Sequence, residues 1–476
     1  MVSVETVRAR LAAVGQGHVL RFWEELDASA RGRLLDQISR LDLEGLPGLI
    51  GHYVQGKAEP GERGEVAPAP YYGLDGTCCG RAWDRRAAAT RGEAMIRAGK
   101  VAAFVVAGGQ GSRLGFEGPK GCFPAGAVTG KPLFQIFADN LLGARDRYGV
   151  HVPWYIMTSP LNHGATEEFF RAHGFFGLEP GSVRFFMQGV MPSLEMRTGR
   201  LLLAGKGEVA TNPDGHGGCV RALHESGALT EMKRRGVEQV SYFQVDNPHV
   251  RVLDPVFLGL HAGAVDSSGE MSSKMVERAG PDEKVGVFCR VGGRLGVVEY
   301  SDMPVSLAGA RREDGRLAYN AGSIAIHVMS VEFLGRLATD PAFSLEFHRA
   351  EKKVPYVDVE TGRQVAPEKN NAVKLERFVF DALGLCRESV VVETDRVEEF
   401  APIKNATGVD SVESSKALQT ARAARWLRAA GVDVPTRPDG TADCVLEISA
   451  RTATCADELR GASLPRKIER GARVAF

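Results

Sequence analysis

Short apolar β-type runs alternate with helical patterns between residues 99 and 385, and this alternation limits the possible folds more than any other feature. Between the runs lie amphipathic stretches such as Leu133–Leu142, in which apolar residues recur at helical spacing. Strands that alternate with helices form mostly parallel sheets covered on both faces. We therefore predict an α/β fold. The clearest β-type runs are Val101–Ala107, Trp154–Thr158, Val183–Gln188, Val240–Val245, Val285–Val291 and Val297–Tyr300.

The two flanking regions have different patterns. Residues 1–57 show a helical period, and a further helix is predicted from Trp83 to Ala98. Pro, Gly and charged residues dominate 59–70, which we interpret as a loop or linker. We predict a helical N-terminal region over 1–98, an α/β domain over 99–385 and a small C-terminal α+β domain over 386–476.

The charge balance narrows the possible partners. The chain has 476 residues, with 59 Lys and Arg against 59 Asp and Glu, so its formal net charge is zero. Nucleic acids and anionic membranes bind strongly basic surfaces, so neither is an expected partner. The longest strongly apolar run, Val101–Ala107, is far shorter than the ~20 residues that a transmembrane helix needs. Eight cysteines without a C-x-x-C pair favour reduced thiols and a cytoplasmic protein.

A glycine-rich segment follows the first strand of the alternating region. It reads Ala107-Gly-Gly-Gln-Gly-Ser-Arg-Leu-Gly115, and Pro119-Lys-Gly121 comes soon after it. Glycines let backbone N–H groups approach a polyphosphate, while Arg113 and Lys120 supply positive charge to its oxygens. A Walker loop needs Lys followed by Ser or Thr, and a dinucleotide fingerprint needs Gly-x-Gly-x-x-Gly. Neither matches, so the segment predicts a polyphosphate site of another kind.

Two polar side chains come at the ends of predicted strands. Asp246 follows the run that ends at Val245, and Gln188 ends the run that begins at Val183. Open α/β sheets bind ligands at the carboxyl ends of their strands. A carboxylate there can hold Mg²⁺ against phosphate oxygens, and an amide can pair with a donor and an acceptor on a base. The alternative for Asp246 is an ordinary Asp-Asn-Pro turn.

The segment AGGQGSRLG-x-x-x-PKG resembles the signature of nucleotide-sugar pyrophosphorylases. The chain is most similar to the eukaryotic-type UDP-N-acetylhexosamine branch of the UTP:sugar-1-phosphate uridylyltransferase family, over about residues 20–408. This resemblance implies a Rossmann-like mixed, mostly parallel sheet of the GT-A-like type. Further segments that match family patterns in order are Phe22–Leu26, Phe185–Gly189, Pro213–Gly218, Val245–Asn247, Val297–Ser301, Tyr319–Gly322, Lys352–Asp358, Val373–Asp381 and Pro402–Asn405.

The resemblance also implies a reaction. A hexose 1-phosphate oxygen attacks the α-phosphorus of UTP, and pyrophosphate leaves in line. Because two polyanions must meet, positioning and charge neutralisation supply the catalysis, and no nucleophilic side chain is required. Arg113, Lys120 and Lys404 are the implied catalytic cations. Mg²⁺, with Mn²⁺ as the alternative, is the implied cofactor, and Asp246 is its implied ligand.

Binding positions are implied in the same way. A carboxylate such as Glu299 accepts strong hydrogen bonds from sugar hydroxyls, whereas core packing is the alternative role for Tyr300. The implied nucleotide-binding residues are Val106, Ala107, Gly108, Gly109, Gly111, Gln188, Gly215, Asp246 and Lys374. The implied sugar-binding residues are His216, Gly286, Glu299, Tyr300 and Asn320.

One position departs from the most similar branch of the family. N-acetylhexosamine enzymes usually have Gly-Asn-Gly-Gly where this chain has Gly215-His-Gly-Gly218, and glucose-type relatives carry His. We predict N-acetylglucosamine 1-phosphate as the preferred substrate, with glucose 1-phosphate or a broad range of sugars as the alternative. An inactive nucleotide-sugar-binding regulator is a further alternative. Its expected signature is loss of a catalytic cation or of Asp246, and all of these residues are present.

Overall fold

The structure is a computed structural model that describes residues 3–56 and 64–476. Residues 59–63 of the expected linker lie outside the described residues. The helices are α1 (Val4–Ala13), α2 (Ala28–Ser39), α3 (Leu46–Leu49), α4 (Arg85–Arg97), α5 (Leu133–Tyr148), α6 (His163–Ala172), α7 (Cys219–Glu225), α8 (Ala228–Arg234), α9 (Pro255–Gly263), α10 (Val305–Ala308), α11 (Val331–Thr339), α12 (Arg396–Glu399) and α13 (Val412–Ala429).

The strands are short, and the longest of them is β16. They are β1 (Val66–Pro68), β2 (Thr77–Cys78), β3 (Arg81–Ala82), β4 (Val101–Val106), β5 (Trp154–Thr158), β6 (Val183–Met187), β7 (Val190–Pro192), β8 (Leu194–Glu195), β9 (Leu203–Gly205), β10 (Glu208–Val209), β11 (Thr211–Pro213), β12 (Gln239–Gln244), β13 (Met271–Glu277), β14 (Val287–Val291), β15 (Arg294–Val298), β16 (Ala321–Ser330), β17 (His348–Lys352), β18 (Tyr356–Val357), β19 (Gln364–Val365), β20 (Ala372–Glu376), β21 (Val391–Glu393), β22 (Val445–Glu447) and β23 (Arg473–Ala475).

The chain forms two compact units, each built from three segments. Unit 1 comprises Met1–Arg63, Gln188–Cys219 and Leu345–Val379, and unit 2 comprises the rest. The sequence predicted divisions near residues 98 and 385 instead. The difference arises because packing joins segments that are distant in the chain. For example, α4 lies so close to α9 that a Cβ on Gly92 would come within 1.9 Å of the Pro255 carbonyl oxygen.

Unit 1 combines the N-terminal helices with small antiparallel sheets. Leu11 of α1 and Leu34 and Ile38 of α2 are buried in one core with Val373 and Leu375 of β20. Strand β20 pairs with β17 on one side and with β8 on the other, and β7 pairs with β11. These pairings hold segments 188–219 and 345–379 together, and β20 packs against the N-terminal helices.

Unit 2 contains a ten-stranded mixed sheet, which confirms the predicted Rossmann-like α/β fold. Its parallel part has the order β12-β4-β5-β6, and β16 then runs antiparallel to β12. Strand β4 is buried along Val101–Val105, and ring contacts such as Phe137 of α5 with Phe243 of β12 cover one face. Continuous burial of this kind explains why β4 reads as an uninterrupted apolar run.

Two local predictions were wrong. Residues 66–68 of the expected linker form β1, because Val66 pairs with Val291 at the edge of the sheet. The run expected to extend to Tyr300 ends at Val298, where β15 gives way to a turn closed by the Asp302 and Met303 N–H groups on the Glu299 carbonyl oxygen. The first difference comes from a contact with a distant segment, and the second comes from a local turn.

Two further features concern the length of the apolar helices and the state of the cysteines. Over residues 3–56 and 64–476, no helix is long and apolar enough to cross a membrane. All eight cysteines have free thiols.

His261 on α9 makes the stability of unit 2 dependent on pH. The side chain is fully buried between Ser272 Oγ and Gln239 Oε1, and burial lowers its pKa to about 4. The unfolded chain, with an ordinary histidine pKa, binds more protons below pH 6.5, so stability is lost as the pH falls from there towards 4. We expect the difference in unfolding free energy between wild type and His261→Gln to narrow by about 2 kcal/mol from pH 7 to pH 5. Chemical denaturation at both pH values measures this, and a constant difference would contradict it.

Candidate functional site

The predicted ligand edge of the sheet is formed by the carboxyl ends of β4 and β12. The two strands are in parallel register, with Val106 opposite Gln244, and the Val245 N–H donates to the Val106 carbonyl oxygen at 3.1 Å. The glycine-rich loop leaves β4 at Ala107, and Asp246 comes two residues beyond β12. The register therefore places the loop beside Asp246.

Three consecutive N–H groups of the loop are available to an anion. In the part of the chain that the structure describes, the N–H groups of Gly108, Gly109 and Gln110 donate to no protein acceptor. Their neighbours are occupied, because Ala107 donates to the Met157 carbonyl oxygen and Gly111 donates to that of Gly118. Consecutive unpaired N–H groups in a loop form a concave anion-binding site.

A close contact fixes the second half of the loop. A Cβ on Gly121 would lie 2.2 Å from the Phe134 ring, so only glycine fits at this position. The preceding residue, Lys120, donates its backbone N–H to the Gly109 carbonyl oxygen at 3.1 Å. The lysine is thereby tied to the same loop that presents the N–H groups.

Lys120 and Asp246 form the centre of the site. Lys120 Nζ lies 3.8 Å from Asp246 Oδ2, and each side chain is only 15% exposed. Burial lowers the pKa of Lys120, and the positive charges of Lys404 and Arg113 lower it further, while Asp246 raises it. The cations that the sequence placed 284 residues apart, Lys120 and Lys404, thus act electrostatically on one another.

Lys404 comes to the site on a segment that is bonded to the Asp246 turn. The Ile403 N–H donates to the Asp246 carbonyl oxygen at 2.8 Å, and Lys404 Nζ pairs with Asp410 Oδ2 at 3.2 Å. Lys404 is 39% exposed, and Arg113 is exposed as well. Both are in a position to meet a ligand from solvent.

Sequence reasoning missed two buried asparagines beside these residues. Asn247 is 3% exposed; its Oδ1 accepts from the Ala401 N–H and its Nδ2 donates to the Glu399 carbonyl oxygen, which joins the Asp246 turn to the Lys404 segment. Asn162 is 1% exposed, and its amide contacts the glycine-rich loop. The motif around Asn247 was visible in the sequence, whereas nothing local marks Asn162.

The implied sugar-binding residues of unit 2 have different surroundings. Gly286 lies beside Glu299, since a Cβ on it would come within 3.3 Å of Glu299 Oε1. Tyr300 is 48% exposed, so it does not pack in the core. Asn320 is buried, with Oδ1 accepting from Arg312 and Nδ2 donating to the Tyr71 hydroxyl at 3.1 Å. The Asn320 amide is therefore held by protein groups.

Four of the implied binding residues belong to unit 1. These are Gln188, Gly215, His216 and Lys374. Gln188 is 8% exposed, and Gly215 has φ +83° with its Cα so close to Arg377 that a Cβ would lie 2.3 Å from the carbonyl oxygen. Burial lowers the pKa of Lys374 on β20.

His216 is held in one orientation by its neighbours in unit 1. Its Nδ1 accepts the Val379 N–H at 3.1 Å, and its ring stacks on Phe378 with centroids 5.1 Å apart. Burial, with a smaller effect of His348, lowers its pKa to about 4. The imidazole is therefore neutral at pH 7, and because Nδ1 is an acceptor, Nε2 carries the proton and is a donor.

The donor set suits a metal that also binds phosphate. Among the described residues there is no group of three or more His, Cys, Asp and Glu side chains that could hold a metal alone. Mg²⁺ is commonly bound by one or two carboxylates together with substrate phosphates and water. The single carboxylate of Asp246, next to the loop N–H groups, fits that pattern.

The fold and the site together define a class of protein. A mixed α/β sheet presents three cations and the Asp246 carboxylate at the carboxyl ends of its strands, beside loop N–H groups that donate to no acceptor within residues 3–56 and 64–476. This combination is that of a nucleotide-binding α/β protein whose chemistry takes place on a polyphosphate.

Comparison with known proteins identifies the family. The model of the UTP–glucose-1-phosphate uridylyltransferase family matches residues 85–424, and the chain belongs to this family. It is 39% identical to UDP-N-acetylhexosamine pyrophosphorylase-like protein 1 of Homo sapiens, over 94% of this chain and 92% of that protein. It is 36% identical to UDP-N-acetylglucosamine diphosphorylase 2 of Arabidopsis thaliana, over 89% and 84% of the two chains.

A solved structure supports the same relationship. The uridine diphosphate N-acetylglucosamine pyrophosphorylase of Trypanosoma brucei, crystallised with an inhibitor, superposes with a TM-score of 0.81. The two chains are 25% identical, and the match covers 98% of each. The predicted family resemblance is thus confirmed along almost the whole chain.

Proposed function

We propose that this protein is a uridylyltransferase that forms UDP-N-acetylglucosamine and pyrophosphate from UTP and N-acetylglucosamine 1-phosphate. The observation that carries the proposal is a set of three N–H groups, at Gly108, Gly109 and Gln110, that have no acceptor among the described residues. They lie beside Lys120 and Asp246. Relatives at 36% and 25% identity are named as N-acetylglucosamine enzymes, which supports the choice of sugar.

Different residues of the site neutralise the negative charge of different phosphate groups. The loop N–H groups, Arg113 and Lys120 bind the β- and γ-phosphates, and Lys404 neutralises charge from the other side of the cluster. A sugar phosphate oxygen forms a bond to the α-phosphorus of UTP while the bond to pyrophosphate breaks, so no protein group is modified. The cations stabilise the charge on the leaving pyrophosphate, which is electrostatic catalysis by positioned groups.

Asp246 would hold Mg²⁺, or Mn²⁺ in its place, together with phosphate oxygens of UTP. When bound, the ion supplies Lewis-acid polarisation of the phosphoryl oxygens. The carboxylate also pairs with Lys120, which keeps the ammonium group directed to the same place. Gln188, Gly215 and Lys374 are the proposed base and nucleotide contacts, and Gly286, Glu299, Tyr300 and Asn320 the proposed sugar contacts.

Pyrophosphate release tests the proposal directly. The full chain is incubated with UTP and Mg²⁺, and N-acetylglucosamine, N-acetylgalactosamine and glucose 1-phosphates are compared. Clear preference for the N-acetyl sugars is the expected result. Preference for glucose 1-phosphate would overturn the sugar assignment, and absence of release with every sugar would favour a nucleotide-sugar-binding regulator.

Glucose 1-phosphate remains the second candidate because of His216. Its neutral ring, fixed by Val379 and Phe378, stands where the N-acetyl branch usually has Asn. We expect His216→Asn to shift the ratio of kcat/KM values towards N-acetylglucosamine 1-phosphate by about tenfold, the size of one hydrogen-bond difference. Equal ratios before and after the change would remove His216 from sugar selection.

Because the His216 imidazole is neutral well above its pKa of about 4, the ratio of kcat/KM values for the two sugar phosphates in wild type should stay constant between pH 6 and pH 8.

A cytoplasmic location is also part of the proposal, supported by the eight free thiols. Subcellular fractionation of the native source tests it.

A further inference from the structure

Asn162 lies just before α6, at the position where an asparagine usually caps its own helix. A capping side chain accepts a hydrogen bond from an N–H group in the first turn. Asn162 makes no such bond. Its Oδ1 accepts instead from the Ser159 N–H at 2.8 Å and from Ser159 Oγ at 3.1 Å. Since Oδ1 faces two donors, the other half of the amide is Nδ2, and it must serve as the donor.

The Asn162 Nδ2 group donates to two carbonyl oxygens of the glycine-rich loop. The distances are 2.9 Å to the Ala107 oxygen and 3.2 Å to the Gly109 oxygen. A trans peptide unit is planar, and its C=O and N–H groups point in opposite directions. Fixing the Ala107 carbonyl therefore directs the Gly108 N–H away from Asn162, and fixing the Gly109 carbonyl does the same for the Gln110 N–H. These are two of the three N–H groups that have no protein acceptor in the described part of the chain.

We propose that Asn162 is a positioning residue that orients the loop N–H groups towards the nucleotide phosphates. Without its amide, the Ala107 carbonyl loses this bond and its peptide plane is free to turn, while the Gly109 carbonyl keeps only the bond from the Lys120 N–H. A carbonyl oxygen turned towards a triphosphate repels it. Asn162 itself is buried and touches no substrate in this role. The proposal rests on the proposed function, because it assigns the loop to UTP.

Asn162→Asp is the sharpest test because it keeps the shape and exchanges the donor for an acceptor. The carboxylate would face two carbonyl oxygens, so the pKa of the new Asp is expected to be raised. We expect UTP to bind about 10- to 100-fold more weakly than to wild type at pH 8.5. Protonation restores a donor, so binding should recover by about tenfold at pH 6, while wild type changes little. Calorimetric titration with UTP and Mg²⁺ measures both values.

Asn140→Asp is the matched control, since Asn140 is a buried amide in unit 2 that bonds to the Ile136 carbonyl oxygen and not to the loop. Equal UTP affinity in the two Asp variants would overturn the proposal, and so would a variant whose affinity does not recover at pH 6. If Asn162→Asp does not fold, the pair Asn162→Thr and Asn162→Val replaces it. Thr keeps a donor that Val lacks, so Thr must bind UTP more tightly, and equal affinities overturn the proposal. Wild type that binds no UTP would instead refute the proposed function.

Discussion

Replacing Lys404 with alanine is expected to lower kcat by about 10²- to 10³-fold, because removal of one preorganised charge at a reacting centre has effects of this size. Lys404 lies on the segment bonded to the Asp246 turn and acts electrostatically on Lys120. Its loss leaves the phosphate charge of two substrates to fewer cations. Steady-state release of pyrophosphate, with UTP and sugar phosphate saturating, measures the effect.

The fold should survive this substitution. Lys404 is 39% exposed, and its ion pair with Asp410 is a partly solvated contact of small energetic value. Thermal unfolding should therefore be nearly unchanged. Lys467→Ala is the matched control, because Lys467 is an exposed lysine of unit 2 outside the site. Wild-type turnover in a folded Lys404→Ala protein would remove Lys404 from the mechanism.

The parts of the site that follow a strand were accessible from the sequence alone. The apolar runs before Ala107 and before Asp246 predict two buried strands. Both strands are present as β4 and β12, and their carboxyl ends are paired in register. Because the carboxyl ends of parallel strands lie at one edge of a sheet, the sequence predicts both the loop and the carboxylate at that edge, and the pairing of β4 with β12 makes them neighbours. The local pattern was sufficient because strand, glycine loop and acidic residue each carry their own signal.

The cation cluster required more than local pattern. Lys120 and Lys404 belong to the first and the third chain segment of unit 2, and in the sequence only the family resemblance assigns Lys404 to the site. Asn162 could not be found by either route. In sequence, an asparagine before a helix is typical of an ordinary helix cap. The amide of Asn162 bonds to the loop instead of to α6 because of how the loop after β4 packs against the start of α6.

The compact units show a similar limit. The composition of residues 59–70 predicts a loop or linker, yet Val66 in this stretch pairs with Val291 at the edge of the sheet. Segments 188–219 and 345–379 return to the N-terminal helices through β8 and β20, a pairing between residues about 180 positions apart. Pairing over such a distance is a tertiary event that leaves no mark on the local sequence.

Asp246→Asn is expected to have the largest effect, a loss of about 10³-fold or more in kcat/KM for UTP. The change removes the charge that would hold Mg²⁺ and also the partner of Lys120 at 3.8 Å. Asparagine keeps the size and shape of the aspartate side chain. The backbone hydrogen bond from the Ile403 N–H to the Asp246 carbonyl oxygen does not involve the side chain and is retained. Asp314→Asn, at an exposed carboxylate that pairs with Arg316, is the matched control and should stay at wild-type activity.

Two further measurements separate the roles of Asp246. Electron paramagnetic resonance of Mn²⁺ with UTP should show a protein-bound ion in wild type that is lost in Asp246→Asn. Asp246 is the charge that raises the pKa of Lys120 against burial and two neighbouring cations, so its neutralisation lowers that pKa further. Because the protonated lysine binds phosphate, the alkaline limb of the kcat/KM profile should move to lower pH in the variant. Retention of Mn²⁺ binding together with an unmoved alkaline limb would show that Asp246 serves only the turn between β12 and the Lys404 segment.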